Sequence, residues 1–367
     1  MKKILIFQIN LGGHALEYLH HILEWAKTDI KSRFLFCIPK NEYTKDFFYN
    51  IPENIESSDT YFLSDKDKTV KGKCKILRDK ITLHKPTDVL LLSFDQYMPY
   101  FHLLPRNVKY TSFFYHVYLY TWKEDSIKQR IKSVINTWLL VNNKAVSNIL
   151  ICNGTNEDIY FNKLYHSSKF KNIVDPISFI STDRSKIKSD KTVFLHMGVM
   201  TNRKGTLTIL ESIKLLSSDK LKKIKLIFAG VISEEIKYRF YKLKHDLDNK
   251  VEIIVNDKFC SNDEINLYCR EADYLLMPYS ETSKSSGMFA YSSAYDISTV
   301  ATNRGKFKKI VRKYKLGHLI DDNVESLYQF FLDIDFEKRK QVTEQYINRN
   351  SIENFIISLK KCIYENM

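Results

Sequence analysis

No stretch of this 367-residue chain approaches the roughly 18 consecutive apolar residues that a membrane-spanning helix needs, so a helical span is excluded. Cysteine is scarce and scattered. The six, at positions 37, 74, 152, 260, 269 and 362, form no CxxC pair, which argues against a disulfide frame or a zinc site and for reduced thiols in the cytoplasm. The opening MKKILIFQINLGGH is too short and too soon interrupted by glycine for a signal peptide. None of the usual nucleic-acid modules can be read, and nucleic acid is not an expected partner. There is no low-complexity tract, no GxGxxG string and no repeat beyond a likeness between the two halves.

What is there describes a folded, basic protein. Hydrophobic residues make up 44% and charged residues 27%, the balance of a soluble globular chain, and the length suits two domains. Lysine and arginine number 57 against 43 acidic residues, a formal charge of +14. That excess calls for an anionic partner. Its spread along the chain suits membrane lipid or a phosphorylated substrate.

Residues 2–9 read as a buried parallel strand ending at Asn10-Leu11-Gly12-Gly13-His14, after which Ala15, Leu16, Leu19, Ile22, Leu23 and Ala26 recur at helical spacing. Strand, glycine pair and helix open a Rossmann-like unit, and the glycines let a ligand approach backbone amides with His14 at the helix start. Further strands are predicted at 34–38, 89–92, 110–114 and 148–152, separated by helix-compatible sequence, hence alternating βα units on a mostly parallel sheet. Asp95 and His116 fall just past two of these strands, on the side of such a sheet where ligands lodge. Residues 126–140 place Ile127, Ile131, Val134, Ile135, Trp138 and Leu139 on one helical face, with Lys128, Arg130 and Lys132 off it. Such a helix either packs on its own sheet or lies on an anionic membrane.

From 175 to 191 the sequence turns polar (DPISFISTDRSKIKSDK) and reads as a linker. The pattern then restarts. Residues 193–197 form a predicted strand ending at Gly198, followed by Thr201-Asn202-Arg203-Lys204-Gly205 and a helix containing Leu207, Ile209, Leu210, Ile213 and Leu216. Strands follow at 224–229, with Gly230 behind, and at 251–255, then a helix at 262–270. Arg203 and Lys204 stand between a strand-end glycine and a helix, where two cations can grip a diphosphate.

Residues 274–305, YLLMPYSETSKSSGMFAYSSAYDISTVATNRG, are the most informative stretch. They read as a strand at 274–277, a loop, a helix opening at Ser285-Ser286-Gly287, a tight turn and a strand at 299–302. Unpaired amides at Ser285, Ser286, Gly287 and Met288 face the preceding strand's carboxyl end, a geometry suited to a phosphate; an ordinary capped helix is the other reading. A terminal amphipathic helix is predicted at 352–364.

Two Rossmann-like halves, with the phosphate-binding stretch late in the second, resemble the GT-B glycosyltransferases, most closely glycosyltransferase family 4 of bacterial polysaccharide synthesis. GGHALEYL resembles that family's glycine loop, FLHMGVMTNRKG its G…RKG donor segment, and residues 274–305 its PS…EGFG…EA…G.PVVAT signature, with Thr299-Val300-Ala301-Thr302 laid on PVVAT. The chain departs from the signature in four places. The family's first glutamate falls near Ser283 and its second on Tyr291, its glycine is Asp296, and its proline is Ser298. Pro278-Tyr279 and Ser286-Gly287 are similar instead to a subset with PY…SG before the helix, and Glu281 is the nearby carboxylate able to replace the first glutamate.

The resemblance implies an α/β fold of two Rossmann-like, doubly wound parallel-sheet domains facing one cleft: an acceptor-side domain at 1–178, a donor domain at 186–345, and a terminal helix at 350–367 packing back on the first. It implies transfer of a sugar from a nucleotide-sugar donor to a glycan or lipid-linked acceptor. The reaction would retain anomeric configuration and need no cofactor or metal ion, on a cytoplasmic protein peripheral to the inner face of the membrane. Donor phosphates would lie on Arg203, Lys204 and the amides of Ser286 to Met288, with Gly198, Ser285 and Tyr291 in the same site. His116 and Glu281 would act at the sugar, and Gly12, Gly13, His14 and Asp95 would line the acceptor side. Two alternative readings stand beside this one: a non-catalytic binder of a nucleotide sugar or partner enzyme, because the usual glutamates are missing, and a sugar-nucleotide epimerase, because such enzymes share this architecture.

Overall fold

Short apolar strands alternating with helix-forming segments build two parallel sheets, each covered by helices on both faces. The computed structural model describes residues 1–9, 15–39, 55–57, 69–115, 126–152, 155–176, 180–283, 286–334 and 341–364. The chain divides into two units, Met1–Pro176 with Ser351–Met367, and Ile177–Asn350.

In the first unit seven strands run β1 (Lys2–Phe7), β2 (Ser32–Cys37), β3 (Glu56–Ser57), β4 (Asp88–Leu91), β5 (Lys109–Phe113), β6 (Val146–Cys152) and β7 (Phe170–Ile173). They lie in the order β3-β2-β1-β4-β5-β6-β7. Helices Val70–His84, Ile127–Asn142 and Glu157–Leu164 cover one face through Leu77, Ile81, Leu140, Val141 and Phe161. Helices Ala15–Thr28 and Ile352–Tyr364 cover the other. The last helix is fixed by Phe355, which packs 5.3 Å from the Tyr18 ring, and by Asn148 Nδ2, which donates to Cys362 O at 2.7 Å. Burial of one such phenyl ring is worth roughly 1.5–3 kcal/mol. β3 and β7 escape the sequence pattern: the first is a two-residue edge, and the second, FKNI, has too few apolar residues to read as a run.

The second unit has six strands, β8 (Thr192–Met197), β9 (Ile224–Ala229), β10 (Glu252–Asn256), β11 (Tyr274–Met277), β12 (Ser298–Thr302) and β13 (Gly317–Ile320), in the order β10-β9-β8-β11-β12-β13. The expected linker proves to be largely part of this unit. Ser181 N donates to the Tyr295 hydroxyl at 3.2 Å, Arg184 pairs with Glu344 at 3.1 Å, and Ile187 N donates to Arg270 O at 3.0 Å. Polarity here reflects a strap bonded to the unit's surface rather than a free connection. Asp175, which begins the stretch, is buried in the first unit and accepts from the Tyr18 hydroxyl.

Each strand order reverses once, between β1 and β4 in the first unit and between β8 and β11 in the second. Connections leave such a point toward opposite faces, so a crevice opens beyond the strands' carboxyl ends.

Candidate functional site

At the reversal in the second unit, β8 and β11 run side by side, with Leu195 opposite Leu275. Beyond β8 the chain turns through Gly198, at φ 88°, into a 3-10 turn at Asn202–Lys204 whose Lys204 N–H donates to the Thr201 hydroxyl at 3.3 Å. It enters the helix Thr206–Lys214 through Gly205, at φ 68°. A Cβ at residue 205 would stand 2.3 Å from Pro278 O, so glycine is what allows this turn to press against the end of β11. Ser280 N donates to Arg203 O at 2.9 Å and joins the two loops.

This packing gathers charge around one aromatic ring. Tyr279 is buried, with Lys204 Nζ 5.6 Å and the Arg203 guanidinium carbon 5.9 Å from its ring centroid. Burial pushes its hydroxyl pKa up, against the effects of the Arg203 charge and a hydrogen bond with Ser286. Lys204 Nζ donates to Met197 O at 3.4 Å, and burial, assisted by the charge of Arg203, draws its pKa down to about 8. Among the described residues no carboxylate pairs with it. Arg203 Nε lies 3.8 Å from Glu281 Oε2, both side chains partly exposed, and Ser283 Oγ donates to Glu281 Oε1 at 3.1 Å.

A buried histidine holds the base of the site. His196 Nδ1 lies 2.9 Å from Leu276 O and its Nε2 lies 2.9 Å from Thr206 Oγ1. Burial lowers its pKa to about 4, so the ring is neutral at ordinary pH. The carbonyl can only accept, so Nδ1 carries the proton and Nε2 accepts from the Thr206 hydroxyl. One side chain thus ties β8, β11 and the first residue of the helix behind the turn.

Residues 179–346 match the Glycosyl transferases group 1 family model. The match lies within the second unit and contains this whole cluster. No curated protein matches the sequence. Solved structures align over the full chain. Anabaena HepE in complex with UDP and glucose shares 13% identity over 100% of this chain and 99% of its own, at TM-score 0.64. Sucrose-phosphate synthase from Thermosynechococcus elongatus shares 10% identity, with 100% and 99% covered, at TM-score 0.69. WaaG, a glycosyltransferase involved in lipopolysaccharide biosynthesis, shares 12% identity with 99% of each chain covered, at TM-score 0.65. The fold is that of the GT-B glycosyltransferases.

Of the residues read from sequence toward that family's chemistry, Arg203, Lys204 and Ser286 lie against Tyr279, while Gly198 stands beside the Lys204 ammonium and Glu281 beside Arg203. The helix beyond differs from expectation. It is the seven-residue segment Met288–Ala294, and its N-cap Gly287 has helical backbone angles with no side-chain cap. Its first amides are already used, Phe289 N donating to Ser286 O and Ala290 N to Gly287 O, while Met288 N reaches Ser286 Oγ only at 3.4 Å. Of the amides expected at the helix start, Met288 N alone has a partner among the described residues, and the two used in the first turn, Phe289 N and Ala290 N, lie beyond that set. Tyr291 lies on this helix within the apolar core. Asp95, in the first unit, spans strand ends by accepting from Tyr115 N at 2.9 Å and Ser93 Oγ at 3.3 Å. Gly12, Gly13, His14, His116 and Ser285 lie outside the described residues.

Tyr279, His196, Thr206 and Arg304 were not singled out as site residues from sequence. Arg304 Nη2 donates to Ser280 O and lies 3.2 Å from Asp322, so it fixes the loop that carries Glu281. Pro278-Tyr279 carried the one available signal for this group. Asp-x-Asp strings occur at 65–67, 246–248 and 333–335. In the described one at 246–248, Asp246 and Asp248 pair with Lys214 and Lys244 on exposed surface. Among the described residues no group of three or more His, Cys, Asp or Glu is arranged to hold a metal ion.

Proposed function

We propose that the second unit binds a nucleotide-diphosphate sugar beyond β8 and β11, and that the protein transfers the sugar to a glycan or lipid-linked acceptor. The observation that carries this reading is the Lys204 ammonium: partly buried, drawn down to about pH 8, without a carboxylate partner among the described residues, and beside a second cation. Such a cation is stabilised by an incoming dianion. Glycosyl transfer develops charge on the leaving diphosphate, and Lys204 and Arg203 would stabilise it without reorganising. The family match and the likeness to a UDP-bound glycosyltransferase fold support the same assignment.

In this reading Glu281 binds hydroxyls of the donor sugar, and Ser286, Gly287 and Met288 approach the phosphates. Ser285 and Gly198 lie at the same site. His116 contacts the sugar from the first unit, where Gly12, Gly13, His14 and Asp95 would serve the acceptor. Transfer proceeds with retention and without a metal ion, on a cytoplasmic protein peripheral to the membrane. A non-catalytic binder is the second reading, favoured by the buried tyrosine at the position of the family's second glutamate. Both are tested by thermal stabilisation with a panel of nucleotide sugars followed by product analysis. A ligand at 100 times its Kd adds about 2.7 kcal/mol, whereas absence of any shift overturns donor binding. Transfer to an acceptor supports the enzyme; bound but unchanged donor supports the binder, and an epimerised donor identifies the remaining alternative.

A further inference from the structure

The helices Ile127–Asn142 and Glu157–Leu164 cover the same face of the seven-stranded sheet. Their outward sides are unusually apolar. On the first helix only Thr137, Leu140 and Val141 are buried, while Ile127 is 74% exposed and Ile131, Ile135 and Trp138 are each about half exposed. The spacing 127, 131, 135 and 138 strings these four along one stripe. On the second helix Ile159 is 64% exposed, with Tyr160 and Leu164 about half exposed. The apolar residues that periodicity assigns to one face are therefore divided, and much of that face is turned to solvent.

Among the described residues of these two helices the exposed charge is mainly positive. Lys128, Lys132 and Lys163 are exposed beside these side chains, and the helix Ile127–Asn142 contains no acidic residue. On the second helix Glu157 is buried against Thr155, which leaves Asp158, partly exposed, as its other acid. We propose that this face docks on an anionic lipid bilayer. Isoleucine and leucine side chains would enter the acyl boundary, Trp138 and Tyr160 would lie at headgroup level, and the lysines would meet lipid phosphates. A second copy of the chain is a poorer occupant, because a twofold contact would set the same lysines against each other. The proposal gives the expected peripheral membrane contact a defined surface, and it stands or falls apart from the donor site, which lies in the other unit.

The full-length protein is mixed with neutral phosphatidylcholine vesicles and with vesicles that also contain phosphatidylglycerol. Partition onto the anionic vesicles is expected at about 0.1 M salt, falling as about 1 M salt shortens the Debye length from about 10 Å to about 3 Å. Each cation near such a surface is worth roughly fivefold, so Lys128→Glu with Lys132→Glu is expected to reduce partition at least roughly twentyfold. Ile131→Ser with Trp138→Ser is expected to reduce it at least tenfold, by removing apolar surface that enters the bilayer. All four side chains are exposed, and unchanged circular dichroism confirms that both variants fold. Absence of partition onto anionic vesicles, or wild-type partition by both variants, overturns the proposal. So does a dimer in solution that Ile131→Ser abolishes while the wild type ignores vesicles.

Discussion

The ammonium of Lys204 occupies the space that a side chain at residue 198 would fill: a Cβ on Gly198 would stand 2.7 Å from Lys204 Nζ. Gly198 also sits at φ 88°, where a Cβ strains the backbone. Gly198→Ala should therefore act twice. It is expected to destabilise the protein by about 1–2 kcal/mol through backbone strain, and to weaken nucleoside diphosphate binding by displacing the ammonium. Denaturation and calorimetry on one preparation check both effects; unchanged affinity in a folded variant would separate Lys204 from the ligand.

Lys204 supplies a pH signature. A lysine whose folded pKa is about 8, against 10.5 ordinarily, is held protonated at neutral pH at a cost to the fold. That cost is present below about pH 8 and disappears as pH rises toward 10.5, so Lys204 makes stability rise across this window. Lys204→Met should stabilise the ligand-free protein at neutral pH, on the order of 1–2 kcal/mol after allowance for partial exposure, while abolishing tight donor binding. Binding of a diphosphate to the wild type should raise the Lys204 pKa back toward the ordinary 10.5 and so take up a proton near pH 9, roughly one unit above the ligand-free value. Calorimetry in two buffers of different ionisation enthalpy measures that uptake. None in the wild type would overturn contact between the ammonium and the phosphates.

His196 predicts the opposite edge of the pH range. Its folded pKa of about 4 lies below the ordinary 6.5, so the unfolded chain gains a proton first as pH falls. Its contribution is level above about 6.5 and is lost progressively toward 4, on the order of 2–3 kcal/mol. Replacement with Gln removes this titration. The urea midpoint of the wild type should therefore fall further between pH 7 and pH 4.5, a span of about 2.5 units, than that of His196→Gln. Equal falls would mean that His196 is solvated.

The sequence carried the fold because strands buried on both faces read as apolar runs regardless of what surrounds them, as at β1, β8 and β11. It showed Arg203 and Lys204 as neighbours because two cations between a glycine and a helix are visible as a string, and the structure places both beside Tyr279. It did not carry His196, which is indistinguishable in sequence from any histidine in a strand. Its role comes from Leu276, 80 residues away, and from Thr206 across the turn. The strap at 180–191 was misread for a related reason: its backbone amides and the Arg184 side chain are used on Arg270, Tyr295 and Glu344, all distant in sequence. Nor could the periodicity of residues 126–140 say which apolar positions face the sheet, because the stripe is wider than the face that the sheet covers.

Arg203 and Glu281 provide the sharpest division of roles. Their 3.8 Å contact joins two partly exposed side chains, so its loss should change stability by less than about 1 kcal/mol. If Arg203 holds the leaving diphosphate, Arg203→Ala should cost about 2–4 kcal/mol in kcat/KM and also weaken the free nucleoside diphosphate. Glu281→Gln should behave differently. It removes a negative charge from beside Arg203, so on the proposed reading nucleoside diphosphate affinity should hold or rise, while kcat/KM with the sugar donor falls through loss of hydroxyl contacts. Affinity for the diphosphate and turnover of the donor are therefore expected to move together in the arginine variant and apart in the glutamate variant. Parallel losses in both would mean that Glu281 serves only to position Arg203, and wild-type turnover in both would remove this pair from the reaction.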